Sequence, residues 1–197
     1  METNTPRDWD SFWSRKQIPF FQGLKSSFTR ELAGFLRSYS GRFLEAGCGE
    51  ALMMGGLKDH FSVVGIDFSR EACRQAKRRI PSVVHGDIHR MPFKGAFDVV
   101  FNQSVIPADA DPGQTIRDML SVTRKGGHVI FTIPKKQSIF HFLSRLGPLN
   151  PVKWPIRTIY WNEEEIRKIV SRFSKVVEVH PLWYGQLLII VIRKGGK

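Results

Sequence analysis

From about residue 40 onward, short runs of β-branched and aromatic residues alternate with stretches whose apolar residues recur at helical spacing. GRFLEAG (41–47), FSVVGIDFS (61–69), PSVVHGD (81–87), AFDVVFN (96–102), HVIFTIP (128–134), FSKVVEVH (173–180) and GQLLIIVIRK (185–194) read as seven strands. Between them, residues 69–80 read as a helix capped by Ser69. Ala72, Cys73, Ala76 and Ile80 fall on one face there, and Arg74, Lys77 and Arg78 turn to water. Residues 111–125 carry Ile116, Met119 and Leu120 at helical spacing, and Gly126-Gly127 is a fitting stop. Asn162 and Glu165 open a third helix as a capping box ahead of Ile166, Ile169, Val170 and Phe173. Alternating β and α units predict an α/β fold, a doubly wound, mostly parallel seven-stranded sheet. Only the turn-like PLWY separates the last two strands, too little for a parallel crossover, so these two pair antiparallel.

A chain of 197 residues suits one domain with a single sizeable core. No apolar run approaches the roughly 18 residues of a membrane span, and the first residues lack the basic-then-apolar order of a signal peptide. Cys48 and Cys73 stand alone, which points to a reducing, cytoplasmic setting and away from a disulfide framework or a zinc site; no metal is expected. The net charge of +12 biases the chain toward anionic partners: nucleic acid, an anionic membrane surface or an acidic small molecule.

Two segments fall outside the β/α rhythm. Residues 6–38 read as a helical cap across one end of the sheet, with Trp9, Phe12 and Trp13 on one helical face. Residues 135–160 interrupt the link between the fifth strand and the last helix. They are rich in aromatics and proline, carry Lys135, Lys136, Arg145, Lys153 and Arg157, and contain no acid.

Ligands of open α/β sheets bind beyond the carboxyl ends of the strands. The residues there are FLEAGCGEA, then Asp67-Phe68, Asp87-Ile88 and Asn102. Glu45 just before the Gly47-x-Gly49 step is a poor neighbour for a phosphate. The dinucleotide fingerprint G-x-G-x-x-G/A also fails, because its last position is Leu52. Asp67, at the end of a second strand, is placed to accept from both hydroxyls of a ribose. Asp87 is placed to accept from an adenine amine, with Phe68 and Ile88 offering faces to the ring.

EAGCGEA, VVGIDFS, VVHGDIHRMPF, FDVVFNQSVI and RKGGHVIFTIP resemble, in order and spacing, the successive motifs of the class I S-adenosylmethionine-dependent methyltransferases, from about Arg42 to Pro134. The resemblance implies a Rossmann-like methyltransferase fold and S-adenosylmethionine as cofactor. It implies that Glu45 accepts from the methionyl ammonium, that Gly47, Cys48 and Gly49 form the close-approach loop, that Asp67 holds the ribose, that Phe68, Asp87 and Ile88 frame the adenine, and that Asn102 faces the methionyl end. Cys48 otherwise reads as a small loop filler. The chain departs from the family pattern at Ala51, where a third glycine is usual, and after Asn102, where SVIPADAD replaces the acid–histidine pair of many small-molecule members.

Methyl transfer from a sulfonium needs orientation and exclusion of water more than a general base. His89, His128 and His141 are the candidates by location if a base is used, with His60, His85 and His180 behind them. Ile139, Phe140, Phe142, Leu143, Leu146, Trp154, Ile156 and Tyr160 suggest an apolar acceptor chamber with cations at its mouth, or simply packing of the segment onto the core. The expected activity is methylation of a small, apolar or amphiphilic molecule, with peripheral contact to an anionic membrane as a secondary expectation. An RNA methyltransferase and a non-catalytic cofactor-binding partner subunit are the rivals.

Overall fold

A computed structural model describes residues 5–14, 19–109, 111–145 and 158–195. Seven strands form one sheet in the order β3-β2-β1-β4-β5-β7-β6. They are β1 (Gly41–Ala46), β2 (Phe61–Asp67), β3 (Val83–His85), β4 (Phe97–Gln103), β5 (Thr123–Pro134), β6 (Val176–Leu182) and β7 (Leu187–Arg193). β1 to β5 are parallel, and β7 pairs antiparallel with both β5 and β6, so β7 alone runs against the rest. The strand order reverses between β1 and β4, which sets a crevice at the carboxyl ends of these two strands.

Alternation along each strand divides the core between the two faces of the sheet. Phe43, Val63, Val99, Phe101, Ile130 and Val191 pack on one face, under Leu32 and Leu36 of α2 (Pro19–Leu36) and Met53 and Met54 of α3 (Leu52–Gly55). Leu44, Ile66, Val100, Val129, Phe131 and Ile190 pack on the other. There they meet Ile116 and Met119 of α5 (Pro112–Val122) and Ile166 and Val170 of α7 (Glu163–Val170). The remaining helices are α1 (Pro6–Ser14), α4 (Arg70–Ala76) and α6 (Ile139–Ser144).

The caps form as the sequence predicts. The Ser69 hydroxyl accepts from the Ala72 amide, and Asn162 and Glu165 complete a reciprocal capping box. One boundary is corrected. The helix expected over residues 111–125 ends at Val122, and Gly126-Gly127 lies inside β5. The Thr123 hydroxyl and backbone amide both bond the Met119 carbonyl and close the helix early. The chain then turns through Gly126 at φ +74, and β5 resumes in register at His128 opposite Val99. Likewise the last hairpin turns at residues 183–186, with Pro181 and Leu182 still in β6.

Candidate cofactor and acceptor site

The loop after β1 is built by its own backbone. The Gly47 and Cys48 amides both donate to the Ile66 carbonyl at 2.8 and 3.0 Å, which ties the loop to the end of β2. Gly47 (φ +76) and Gly49 (φ +52) take left-handed conformations that favour glycine. A Cβ on Gly47 would lie 2.3 Å from a Val105 methyl carbon, and one on Gly49 would lie 2.5 Å from the Trp13 indole. Ala51 stands at φ 56, so the usual glycine of this position is replaced by a residue that carries left-handed strain of about 1–2 kcal/mol.

Glu45 is 3% exposed, and its Oε2 has no hydrogen-bond partner among the described residues. Burial, and then the negative charge of Asp67, push its pKa well above the carboxylate range. A buried acceptor left open in this way fits a cationic donor supplied from outside the chain. Asp67 is also buried, but both its oxygens are occupied: Oδ2 accepts from Gly49 N at 2.8 Å and Oδ1 from Ser69 N at 2.9 Å. Burial raises its pKa, while those amides and that of Phe68 pull the other way. An ionised carboxylate has about four lone-pair directions, so two remain for further donors such as a diol. Cys48 and Cys73 are buried thiols. Burial pushes both upward, Cys73 to about 11, so neither is a thiolate at neutral pH.

Asp87 is exposed and spends Oδ1 on the His89 amide, capping the 3-10 turn that presents half-buried Ile88. Asn102 reaches the end of β4 as expected, but its side chain is fully buried and turned to the protein. Nδ2 donates to the Ala46 carbonyl at 2.8 Å, and Oδ1 accepts from Val105 and Ile106. It braces β4 against β1 at the reversal point instead of offering its amide to a ligand.

Helix α1 lies over these loops. The Trp13 indole covers Gly49, Trp9 meets Phe68 edge-on at 6.3 Å, and the Trp13 carbonyl accepts from Gln75. Asp10 Oδ1 accepts from the Ser69 hydroxyl and the Glu71 amide at the start of α4. Sequence reading found the aromatic face but not Asp10, whose position carries no periodic signal. It also missed Trp161, whose indole N–H is a buried donor without a partner among the described residues, beside the end of β5.

The histidines are not poised as bases. His89 sits between Asp118 (2.8 Å from Nδ1) and Asp109 (3.3 Å from Nε2). Burial lowers its pKa, but the bond to Asp118 and the charges of Asp109, Asp87 and Asp118 outweigh this and raise it. His128 lies six residues before the end of β5, about 20 Å from the carboxyl rim. His141 reaches that rim, yet its Nδ1 accepts from the Gln137 amide. The proton of the neutral ring is therefore on Nε2, which leaves no free lone pair. His85 Nε2 meets the Phe68 carbonyl and so donates to it, His60 bonds the Tyr39 carbonyl ahead of β1, and His180 pairs with Glu178.

In the segment after β5, expected from the sequence to serve the acceptor, Phe140 stacks on Trp183 (5.0 Å, 19°), and Tyr160 lies against His141 with its hydroxyl on the Phe140 carbonyl. Leu143 is half-buried, whereas Ile139 and Phe142 face solvent and wall no chamber. Leu146, Trp154, Ile156, Lys153 and Arg157 lie outside the described residues.

Residues 44–131, spanning β1 to β5, match the family model described as a methyltransferase domain. Over these residues the chain is similar to the class I S-adenosylmethionine-dependent methyltransferases. Over 182 residues it is 26% identical to the phosphatidylethanolamine N-methyltransferase of Cereibacter sphaeroides, covering 85% of this chain and 86% of that protein. Over 106 residues it is 35% identical to an uncharacterized 37.1 kDa transposon protein of Streptomyces fradiae, covering 49% of this chain and 31% of that protein. The chain thus spans about a third of one relative and most of the other. Its fold is similar to that of the Synechocystis magnesium protoporphyrin IX methyltransferase solved with bound S-adenosylhomocysteine (SAH). The TM-score is 0.73 at 16% identity, over 96% of this chain and 94% of that one.

The cofactor of this methyltransferase family is S-adenosylmethionine. Two observations fit it here: the open acceptor on Glu45, and a glycine cradle that a single Cβ would fill. No helix among the described residues is long and apolar enough to cross a membrane.

Proposed function

We propose that this chain transfers the methyl group of S-adenosylmethionine to a small amphiphilic acceptor at the end of β5. The observation that carries the reading is the buried, open Glu45 Oε2 beside the Gly47–Gly49 cradle. In this arrangement Glu45 accepts from the methionyl ammonium, Asp67 uses its two remaining lone pairs on the ribose, and Asp87, Ile88 and Phe68 frame the adenine. Cys48 fills the loop floor, and Asn102 holds β1 and β4 at a fixed spacing beneath it. The bound sulfonium supplies a methyl carbon already activated for in-line displacement. The chain's own residues then contribute orientation and dryness, worth up to roughly 7–11 kcal/mol when reactants are well aligned.

With no described histidine presenting a free lone pair at the acceptor side, the nucleophile brings its own. An unprotonated amine, a carboxylate or a phenolate meets that requirement. The similar phosphatidylethanolamine N-methyltransferase, by its name, acts on an amine-headed amphiphile. The acid-free run of residues 135–160, with the stacked Phe140 and Trp183, suits an acceptor that has an apolar body. The chain is then one domain: of the helical segment 6–38 expected as a cap, α1 covers the cofactor loops while α2 packs on a face of the sheet, and residues 135–160 serve the acceptor. A reducing, cytoplasmic setting goes with its unpaired thiols.

The test begins with calorimetric titration of S-adenosylmethionine and of SAH, with Asp67→Ala as control. Methyl-labelled cofactor is then offered to a panel of lipids, small amines, carboxylic acids and RNA. Micromolar binding lost in the variant, with label in a small molecule, supports the reading. Binding without label in any acceptor favours a non-catalytic partner subunit. Label in RNA, with steeply salt-dependent binding, favours the RNA reading.

A further inference from the structure

Four large hydrophobic side chains stand out as exposed among the described residues: Leu52 (41%), Ile139 (65%), Phe142 (69%) and Tyr184 (94%). All four lie at the carboxyl rim of the parallel strands. Leu52 follows the β1 loop, and Ile139 and Phe142 follow β5. Tyr184 is in the β6–β7 turn, which antiparallel pairing of Leu187 with Pro134 brings to that same rim.

Residues three apart on a helix share a face, so α6 presents Ile139 and Phe142 together to water. The helix is held rigidly to the turn: the Ile139 amide donates to Gln186 Oε1, the Lys135 amide donates to the Gln186 carbonyl, and Phe140 stacks on Trp183. Within the turn, Trp183 (φ 50) and Tyr184 (φ 53) both adopt left-handed conformations that bulky residues rarely take. Nothing in the core gains from Tyr184, which projects almost completely into solvent. The hairpin turn imposes this backbone, with the Gln186 amide donating to the Trp183 carbonyl, and it fixes the direction in which Tyr184 projects.

Charge is divided along the rim. On the β3–β4 side the acids are occupied: Asp87 caps the 3-10 turn, Asp111 caps α5, and Asp109 and Asp118 hold His89. On the β5–β7 side, Lys135 and Arg145 are exposed on either side of α6, and the sequence has no acid from 135 to 162. Glu31, close to the turn, accepts from the Trp183 amide, and Glu165 pairs with Lys136.

We infer that the rim formed by Ile139, Phe142 and Tyr184, flanked by Lys135 and Arg145, docks on the surface of an anionic lipid bilayer. Apolar tips inserted at the headgroup boundary, together with cations over anionic lipid, make an interfacial anchor that needs no spanning helix. The inference rests on the amphiphilic-acceptor reading and deepens it, since the docked rim is also the one that admits the acceptor.

The experiment is co-sedimentation of the full chain with vesicles of phosphatidylcholine alone or of equal parts phosphatidylcholine and phosphatidylglycerol. The variants are I139S/F142S, Y184N and K135E/R145E, and SAH titration of each serves as the control for folding and for the cofactor site. The expected result is partition into the phosphatidylglycerol vesicles at least tenfold stronger than into neutral ones, weakened by high salt. Each variant should lose tenfold or more while binding SAH as the parent does. Equal partition into both vesicles, no partition, or variants that bind vesicles like the parent would overturn the inference. So would sedimentation showing that the same variants dissociate a dimer, or RNA binding that depends on this face in place of vesicle binding. Failure of SAH binding in the parent chain would strike the methyltransferase reading itself, whereas vesicle failure with SAH binding intact strikes only the docking.

Discussion

Glu45→Gln separates the two demands that a ligand site places on a buried acid. In the free protein, Glu45 is a carboxyl at 3% exposure with an open Oε2, and burial raises its pKa. A carboxyl raised in the folded state keeps its proton there while the unfolded chain has lost it. The unfolded state then binds fewer protons, and stability falls as pH rises from the ordinary carboxylate range through the folded value. Below that range there is no penalty. Glutamine has nearly the same shape and cannot ionise, so the variant should keep its low-pH stability at pH 8 and be more stable than the parent there.

The ligand-bound protein should respond in the opposite direction. A hydrogen bond to a charged group contributes about 1.5–3 kcal/mol, so losing it weakens SAH by about 10- to 150-fold. At a concentration 100 times the parent's Kd, ligand stabilises the parent by about 2.7 kcal/mol. In the variant the same concentration should give only about 0.3–1.4 kcal/mol. Urea denaturation at pH 5 and pH 8, with and without SAH, measures both effects. A variant less stable than the parent at pH 8 that keeps the full SAH stabilisation would refute the argument, because Glu45 would then be a satisfied structural acid.

Gly49→Ala places a methyl 2.5 Å from the Trp13 indole at a φ that alanine resists. It should displace α1 and weaken SAH binding at least tenfold while the chain remains folded, with tryptophan emission shifted to the red as the indole meets water. His89 has a raised pKa in the folded state. Its contribution to stability is therefore full below the ordinary histidine value and fades as pH rises through the folded one. His89→Asn should lower the urea midpoint more at pH 5.5 than at pH 8.5, and equal losses at the two pH values would rule out the ion-pair account.

Much of the fold was legible because β-branched runs and helical stripes need no tertiary information. Ser69, Asn162 and Glu165 announced their caps for the same reason. The end of α5 was not legible. Gly126-Gly127 looks like a helix stop, but the Thr123 hydroxyl competes locally for the Met119 carbonyl, and strand pairing claims the glycines. At the site, types and positions could be read, but not which donors were already satisfied. Asn102 and Glu45 both stand at strand ends. One is saturated by Ala46, Val105 and Ile106, and the other is open at Oε2, a difference that exists only once the loops are folded. Asp10 and Trp161 act through contacts 59 residues away or through burial, which no local pattern encodes.

The reversed direction of β7 has an engineering consequence. Because β7 runs against its neighbours, a hairpin loop tip, the kind of connection that accepts substitution and insertion most readily, sits beside the segment that follows β5. In the proposed reading, cofactor recognition belongs to the loops of β1, β2 and β3 at the other side of the sheet. Under that reading the chain is modular in an evolutionary sense: exchanging or lengthening residues 183–186 and 135–160 should retarget the acceptor side while leaving SAH binding as it is in the parent. Chimaeras that graft this pair of segments from relatives with other acceptors are a direct route to new specificities on the same sheet.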